Sequence, residues 1–171
     1  MINDISKVLI KKEKNNEQYD WKSIENEKKI VFPEDYKRFL EYYGEGSINN
    51  FLWILSPISE NPYLNSFKQL SNMKNSYEYM KNNNLIDYDY CFYDNGGGLF
   101  PWGITDNGDE LFWNYLKDRI DIVVFSSRYE DIMSYKMSME SFLYGLLSGK
   151  IECDIFPEDF ILDENFYVVD R

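Results

Sequence analysis

Apolar positions along the chain fall into three helical patterns with one short strand among them, then a run of short strands, then a last helix. Ile2, Ile5, Val8 and Leu9 recur at helical spacing and predict a helix over residues 2–14. A clearer helix follows Val31-Phe32. Pro33 suits its first turn, Glu34 and Asp35 favour the positive end of its dipole, and Tyr36, Phe39, Leu40 and Tyr43 form its apolar stripe, with Gly44 as the stop. Phe51 to Leu55 is an unbroken apolar run bounded by Asn50 and Ser56-Pro57, which predicts a buried strand. Leu64, Phe67, Leu70, Tyr77 and Met80 predict a helix over residues 63–82 that ends at Asn82-Asn83-Asn84.

Beyond that point the period shortens. Tyr90–Tyr93, Leu99–Ile104, Glu110–Leu116 and Ile120–Phe125 are predicted strands. Asp94-Asn95-Gly96-Gly97-Gly98 and Asp106-Asn107-Gly108-Asp109 supply turns, because Asn and Gly tolerate positive φ. Ser138 caps a final helix through Ser148, with Phe142, Leu143, Leu146 and Leu147 inward and Gly149 at its stop. Helices at both ends of an antiparallel meander predict an α+β fold, an antiparallel sheet flanked by helices. No repeat or Pro/Ser-rich linker divides the 171 residues, so a single domain over 1–171 is expected.

Charge sharpens the picture. The chain has 18 Lys+Arg against 30 Asp+Glu, a formal net charge of -12. Residues 1–30 are nearly balanced, so the excess belongs to the body of the domain. Between Lys81 and Lys117 there is no basic residue, and Glu152 to Asp170 is likewise acidic. Such a surface disfavours binding to nucleic acid or anionic membrane, whose affinity rests on Lys and Arg displacing counterions. The longest apolar run is far short of the ~20 residues a membrane span needs. The N-terminus lacks the basic flank and apolar stretch of a signal peptide, so a cytoplasmic location is expected. Cys91 and Cys153 stand far apart with no CxxC spacing and are expected as reduced thiols.

The candidate chemistry is thin. With no histidine in the chain, His-based general base catalysis and His metal sites are excluded. Gly96-Gly97-Gly98 is followed by Leu99-Phe100-Pro101, not by Gly-Lys-Ser/Thr and a helix, so it is a hairpin loop and not a phosphate cradle. Asp106-Asn107-Gly108-Asp109-Glu110 lacks the alternating ligands of a calcium loop. Arg119 and Arg128 are expected to pair with acids such as Asp118, Asp121 and Glu130. No cofactor, metal or enzymatic activity is expected. The aromatic residues are more telling: Trp53, Trp102 and Trp113 lie in or beside predicted strands, and because strands alternate, some of these rings face outward. An exposed ring beside a one-signed acidic surface suits a protein-binding face.

Three segments carry a family resemblance. Phe32-Pro33-Glu34-Asp35-Tyr36-Lys37-Arg38-Phe39-Leu40, Tyr43-Gly44-Glu45-Gly46, and Phe100-Pro101-Trp102-Gly103-Ile104-Thr105-Asp106-Asn107-Gly108-Asp109 follow one another as in the SUKH superfamily, which the chain resembles over about residues 20–150. That group holds yeast cell-wall synthesis regulators and bacterial immunity proteins of polymorphic toxin systems. Its members often have Asn-Gly-Gly where this chain has Tyr43-Gly44-Glu45-Gly46. The resemblance implies a SUKH-like domain that acts by binding a protein: a cognate toxin, commonly a nuclease, or, as in the yeast relatives, an endogenous partner. On that basis Asp87, Asp89, Asp94, Asp106, Asp109 and Glu110 are expected to steer the partner. Trp53, Trp102 and Trp113 are the expected anchors, with Trp102 and Gly103 alternatively needed for the fold.

Overall fold

The computed structural model describes residues 5–13, 15 and 17–170. Its centre is an eight-stranded sheet in the order β1-β8-β2-β3-β4-β5-β6-β7. The strands are β1 (Ile10–Lys11), β2 (Gly46–Ile48), β3 (Leu52–Ile54), β4 (Gly98–Thr105), β5 (Glu110–Tyr115), β6 (Ile120–Phe125), β7 (Ile132–Tyr135) and β8 (Phe166–Val169). Every neighbouring pair is antiparallel except β1 with β8, which pair in parallel at one edge. Four helices, α1 (Trp21–Lys28), α2 (Glu34–Tyr43), α3 (Ser66–Asn82) and α4 (Met139–Leu147), complete the α+β domain among the described residues.

The helix predicted over residues 2–14 is corrected. Ile2 and Lys14 lie outside the described residues, but Ile10 and Lys11 form a strand, because β8 offers them a free edge to pair with. Tyr90–Tyr93 is extended but joins the sheet only through a bridge from Phe92 to Leu99. The other predicted elements form within a few residues of their expected bounds. Helix α2 starts after Pro33 and stops at Gly44, whose φ of +83° ends it. Asn65 caps α3 by accepting from the backbone N–H groups of Phe67 and Lys68, and Ser138 caps α4 by accepting from Ser141.

The two faces of the sheet are covered differently. On the first, α2 and α4 bury Tyr36, Phe39, Leu40, Phe142 and Leu146 against Phe100, Trp102, Leu111, Trp113 and Ile122, and α1 packs the partly buried Trp21 and Ile24 against the same cluster. A register shift follows Pro101 in this central strand: Pro101 pairs with Phe112 and Gly103 with Leu111, so Trp102 is the extra residue of a bulge. Trp113 then stacks on both Phe100 and Trp102, with centroids 6.3 and 6.2 Å away. On the second face α3 covers β4 to β6 through Met73 and Tyr77. An extended strap, residues 86–92, lies beside it: Ile86, Tyr88, Tyr90 and Phe92 point in, while Asp87, Asp89 and Cys91 point out. The Tyr77 hydroxyl holds the strap twice, donating to the Tyr88 carbonyl (2.8 Å) and accepting from the Tyr90 N–H (2.7 Å).

The C-terminal segment closes the sheet. β8 inserts between β1 and β2, and a Cβ on Gly46 would meet the Val168 carbonyl at 2.0 Å, so only glycine admits this pairing. Asn49 fixes the junction. Its amide donates to the Phe160 carbonyl and to Asn165 Oδ1, and its Oδ1 accepts from the Phe166 N–H.

Candidate functional site

Strand direction sets where the acidic residues gather. The β2–β3, β4–β5 and β6–β7 turns lie at one end of the sheet, and the chain after α4 packs there too, with Phe156 and Phe160 against Phe51. Residues 105–110, 126–131 and 152–165 together carry eleven acidic side chains and one basic one, Arg128. Nine of the eleven are exposed: Asp106, Glu130, Asp131, Glu152, Asp154, Glu158, Asp159, Asp163 and Glu164. Sequence separation hides this convergence, because β8 must fold back into the sheet before residues 152–165 can reach the β4–β5 turn.

The residues expected to steer a partner divide into five environments. Asp106 is exposed in the β4–β5 turn, and its Oδ1 accepts from Trp53 Nε1 at 2.7 Å. Asp109 is buried and structural. Its carboxylate accepts from the Thr105 hydroxyl (2.7 Å) and the Ser127 N–H (2.9 Å), tying the β4–β5 turn to the β6–β7 loop. Asp109 is therefore corrected from a steering residue to a joint, since its charge is already spent on neighbours and shielded from solvent. Glu110 is half-buried on the second face, where both its oxygens accept from the Tyr129 hydroxyl. Burial pushes its pKa up to about 7; the Tyr129 hydrogen bonds oppose this and the Asp109 carboxylate adds to it. Asp87 and Asp89 face solvent on the strap, and Asp89 pairs with Lys81. Asp94 is exposed at the far end of β4, away from the acidic rim.

The tryptophans separate equally sharply. Trp102 and Trp113 are 0% and 1% exposed and belong to the first-face core, so neither is reachable by a partner. That expectation is corrected: their strand positions point them under α2 and α4, and the alternative of a fold requirement holds for Trp102. Trp53 stands on the second face, half-buried, in the cross-strand row Ser47–Trp53–Ile104–Glu110–Phe125. It is the one expected anchor that lies at the surface, and Asp106 fixes its ring. Arg119 pairs with Asp121 at 2.9 Å as expected, whereas Arg128 makes no ion pair with an acid among the described residues.

Among the described residues no group of three or more Cys, Asp or Glu side chains could hold a metal ion. Both cysteines are free, Cys91 exposed and Cys153 buried. No helix of the described residues is long and apolar enough to cross a membrane.

Comparison with known proteins gives a family. The family model described as SMI1-KNR4 cell-wall, one of the SUKH group, matches residues 18–143, which span α1 through the first half of α4. That group consists in general of protein-binding, non-catalytic domains. No curated protein and no solved structure matches the chain.

Proposed function

Because the chain belongs to the SMI1-KNR4 cell-wall family of SUKH domains, we propose that it is the immunity protein of a bacterial toxin system, working in the cytoplasm by docking onto a cognate toxin. The toxin is a basic enzyme of nuclease type, and it meets the acidic rim at the β2–β3, β4–β5 and β6–β7 end of the sheet. The observation that carries the reading is the convergence of nine exposed carboxylates, from two turns and the C-terminal segment, on one end of the molecule. Carboxylates arranged on a rim can occupy the places that substrate phosphates take on a nuclease. They also accelerate encounter through long-range attraction, an effect on the order of 10- to 1000-fold at low salt. Trp53, held by Asp106, supplies a rigid aromatic at the margin of this rim.

The test pairs the chain with the toxin-like product of the adjacent gene in its genome. Association should slow steeply as salt rises from about 50 to 300 mM. Reversing Asp106 and Asp154 to Lys together should slow association about tenfold or more at low salt, with dissociation much less affected. Tight binding with no salt dependence, or unchanged association by the double reversal, removes the rim from the interface. If instead the adjacent gene product does not bind and an endogenous protein docks at the rim, the chain is a regulatory scaffold like the yeast relatives.

A further inference from the structure

Beside the acidic rim, the second face of the sheet holds a preformed cleft of ≈ 420 Å³. Trp53 and Ile104 form its floor, Leu64 and the largely exposed Tyr63 (76%) form one wall, and Asn61, Gln69, Asn72 and Asp170 complete the lining. Its walls are built, not draped. Gln69 Nε2 donates to the carbonyls of Pro62 and Tyr63, and Asn61 holds the same loop by accepting from the Tyr63 N–H and donating to Asp170 Oδ2. Asp106 fixes the tilt of the Trp53 indole from its edge. No lining residue is basic, and among the described residues neither Asp106 nor Asp170 pairs with a basic side chain.

We infer that this cleft receives one arginine side chain of the docking partner, its guanidinium stacked on Trp53 beside the lining carboxylate of Asp170, with Asp106 at the edge of the same ring. The inference rests on the docking reading above and specifies its central contact. An indole presents the best aromatic face for a cation, and a planar, weakly hydrated guanidinium stacks on it more favourably than a compact ammonium does. The aliphatic stem of arginine matches the apolar floor and wall supplied by Ile104 and Leu64. A purely apolar guest would leave the lining carboxylate of Asp170 without a counter-charge, a cost that disfavours it.

The experiment needs no toxin. The full chain, labelled with ¹⁵N, is titrated with N-acetyl-arginine methylamide and, in parallel, with its citrulline, lysine and leucine counterparts. Trp53→Phe identifies the Trp53 indole N–H signal. The arginine amide should shift that signal and the Asp170 amide saturably, at least about tenfold more tightly than citrulline or leucine, with lysine between them. The double variant Asp106→Asn, Asp170→Asn should lose about tenfold in arginine affinity while its other signals stay in place. Equal response to citrulline, tighter binding of leucine, or no saturable shift at Trp53 overturns the arginine slot. Failure of the two readings is separable. Salt-steered toxin association with a silent cleft sinks the slot alone, and a responsive cleft with salt-independent association sinks the rim alone.

Discussion

The two faces of the sheet use the same residue type for opposite purposes. On the first face Trp113 lies under α2 with its ring 4.6 Å from that of Tyr36, is 1% exposed, and has an indole N–H without a hydrogen-bond partner among the described residues. On the second face Trp53 keeps part of its ring in solvent and its N–H on an acidic side chain. Three helices seal the first face, whereas α3, a single helix, covers only part of the second and leaves a cleft at Trp53. Coverage decides the role, and the residue name does not. A ring without its polar partner belongs to packing, and one held by a carboxylate at a cleft is available to a guest.

The largest expected effect breaks this contrast if it is wrong. Trp113→Ala should cost about 3–5 kcal/mol of folding stability by urea denaturation, as truncation of a buried aromatic does, and Trp53→Ala only about 1 kcal/mol. Equal costs would mean that Trp53 is as much a core residue as Trp113. Next in size is a contrast within one turn. Asp109→Ala leaves the Ser127 N–H and the Thr105 hydroxyl without their buried acceptor, and should cost about 2–3 kcal/mol. Asp106→Ala, on an exposed acid, should cost less than about 1 kcal/mol. A chemical denaturation series on the two variants reads both values.

Much of the first face was legible in the chain. The stripe Tyr36, Phe39, Leu40 and Tyr43, with Pro33 before it and Gly44 after, fixes α2, and the strands β4 to β6 carry their own turn chemistry in Asp106-Asn107-Gly108-Asp109 and its counterpart at Asp94. What escaped was written in weaker local signals. Helix α1 has only Trp21 and Ile24 as apolar positions and depends on its Asp20 cap, which accepts from the Ser23 N–H. Strand β2 has three residues, with a glycine and a serine among them, and forms because β3 and β8 flank it. Phe166-Tyr167-Val168-Val169 is strand-like by composition, but it follows a run of acids that masks it. The site was legible in part for the same reason. Asp106 and Trp53 were named as candidates, but their hydrogen bond spans 53 residues, and no local pattern reports it. Asp109 and Asp106 look alike in sequence and differ only because the β6–β7 loop folds over one of them.

Acidity sharpens the second face further through Glu110. Its folded-state pKa, raised to about 7 by burial, exceeds its ordinary value of 4.5, so the folded state holds this proton more tightly than the unfolded chain. The stability this contributes is fully present below about pH 4.5 and is lost progressively as pH rises through about 7. Glu110→Gln keeps an acceptor for the Tyr129 hydroxyl without the charge. The variant should therefore be more stable than the parent at pH 8, with the difference shrinking toward pH 5 in urea midpoints measured across that range. A difference independent of pH would assign the effect to packing.

The smallest expected effect tests whether the acidic end, and not net charge alone, steers the partner. Asp94 and Asp106 are both exposed turn aspartates, one at each end of β4, and eight residues of strand separate their turns by about 25 Å, well beyond the Debye length of about 8 Å at physiological salt. Reversing either to Lys changes the net charge equally. If the rim meets the toxin, Asp106→Lys should slow association several-fold, while Asp94→Lys should change it by less than about twofold at physiological ionic strength. The gap between the two should narrow at very low salt, where screening no longer separates the ends. Equal slowing by both reversals at physiological salt would show that overall charge governs encounter, and the eleven acids at the turn end would then owe their placement to something other than docking.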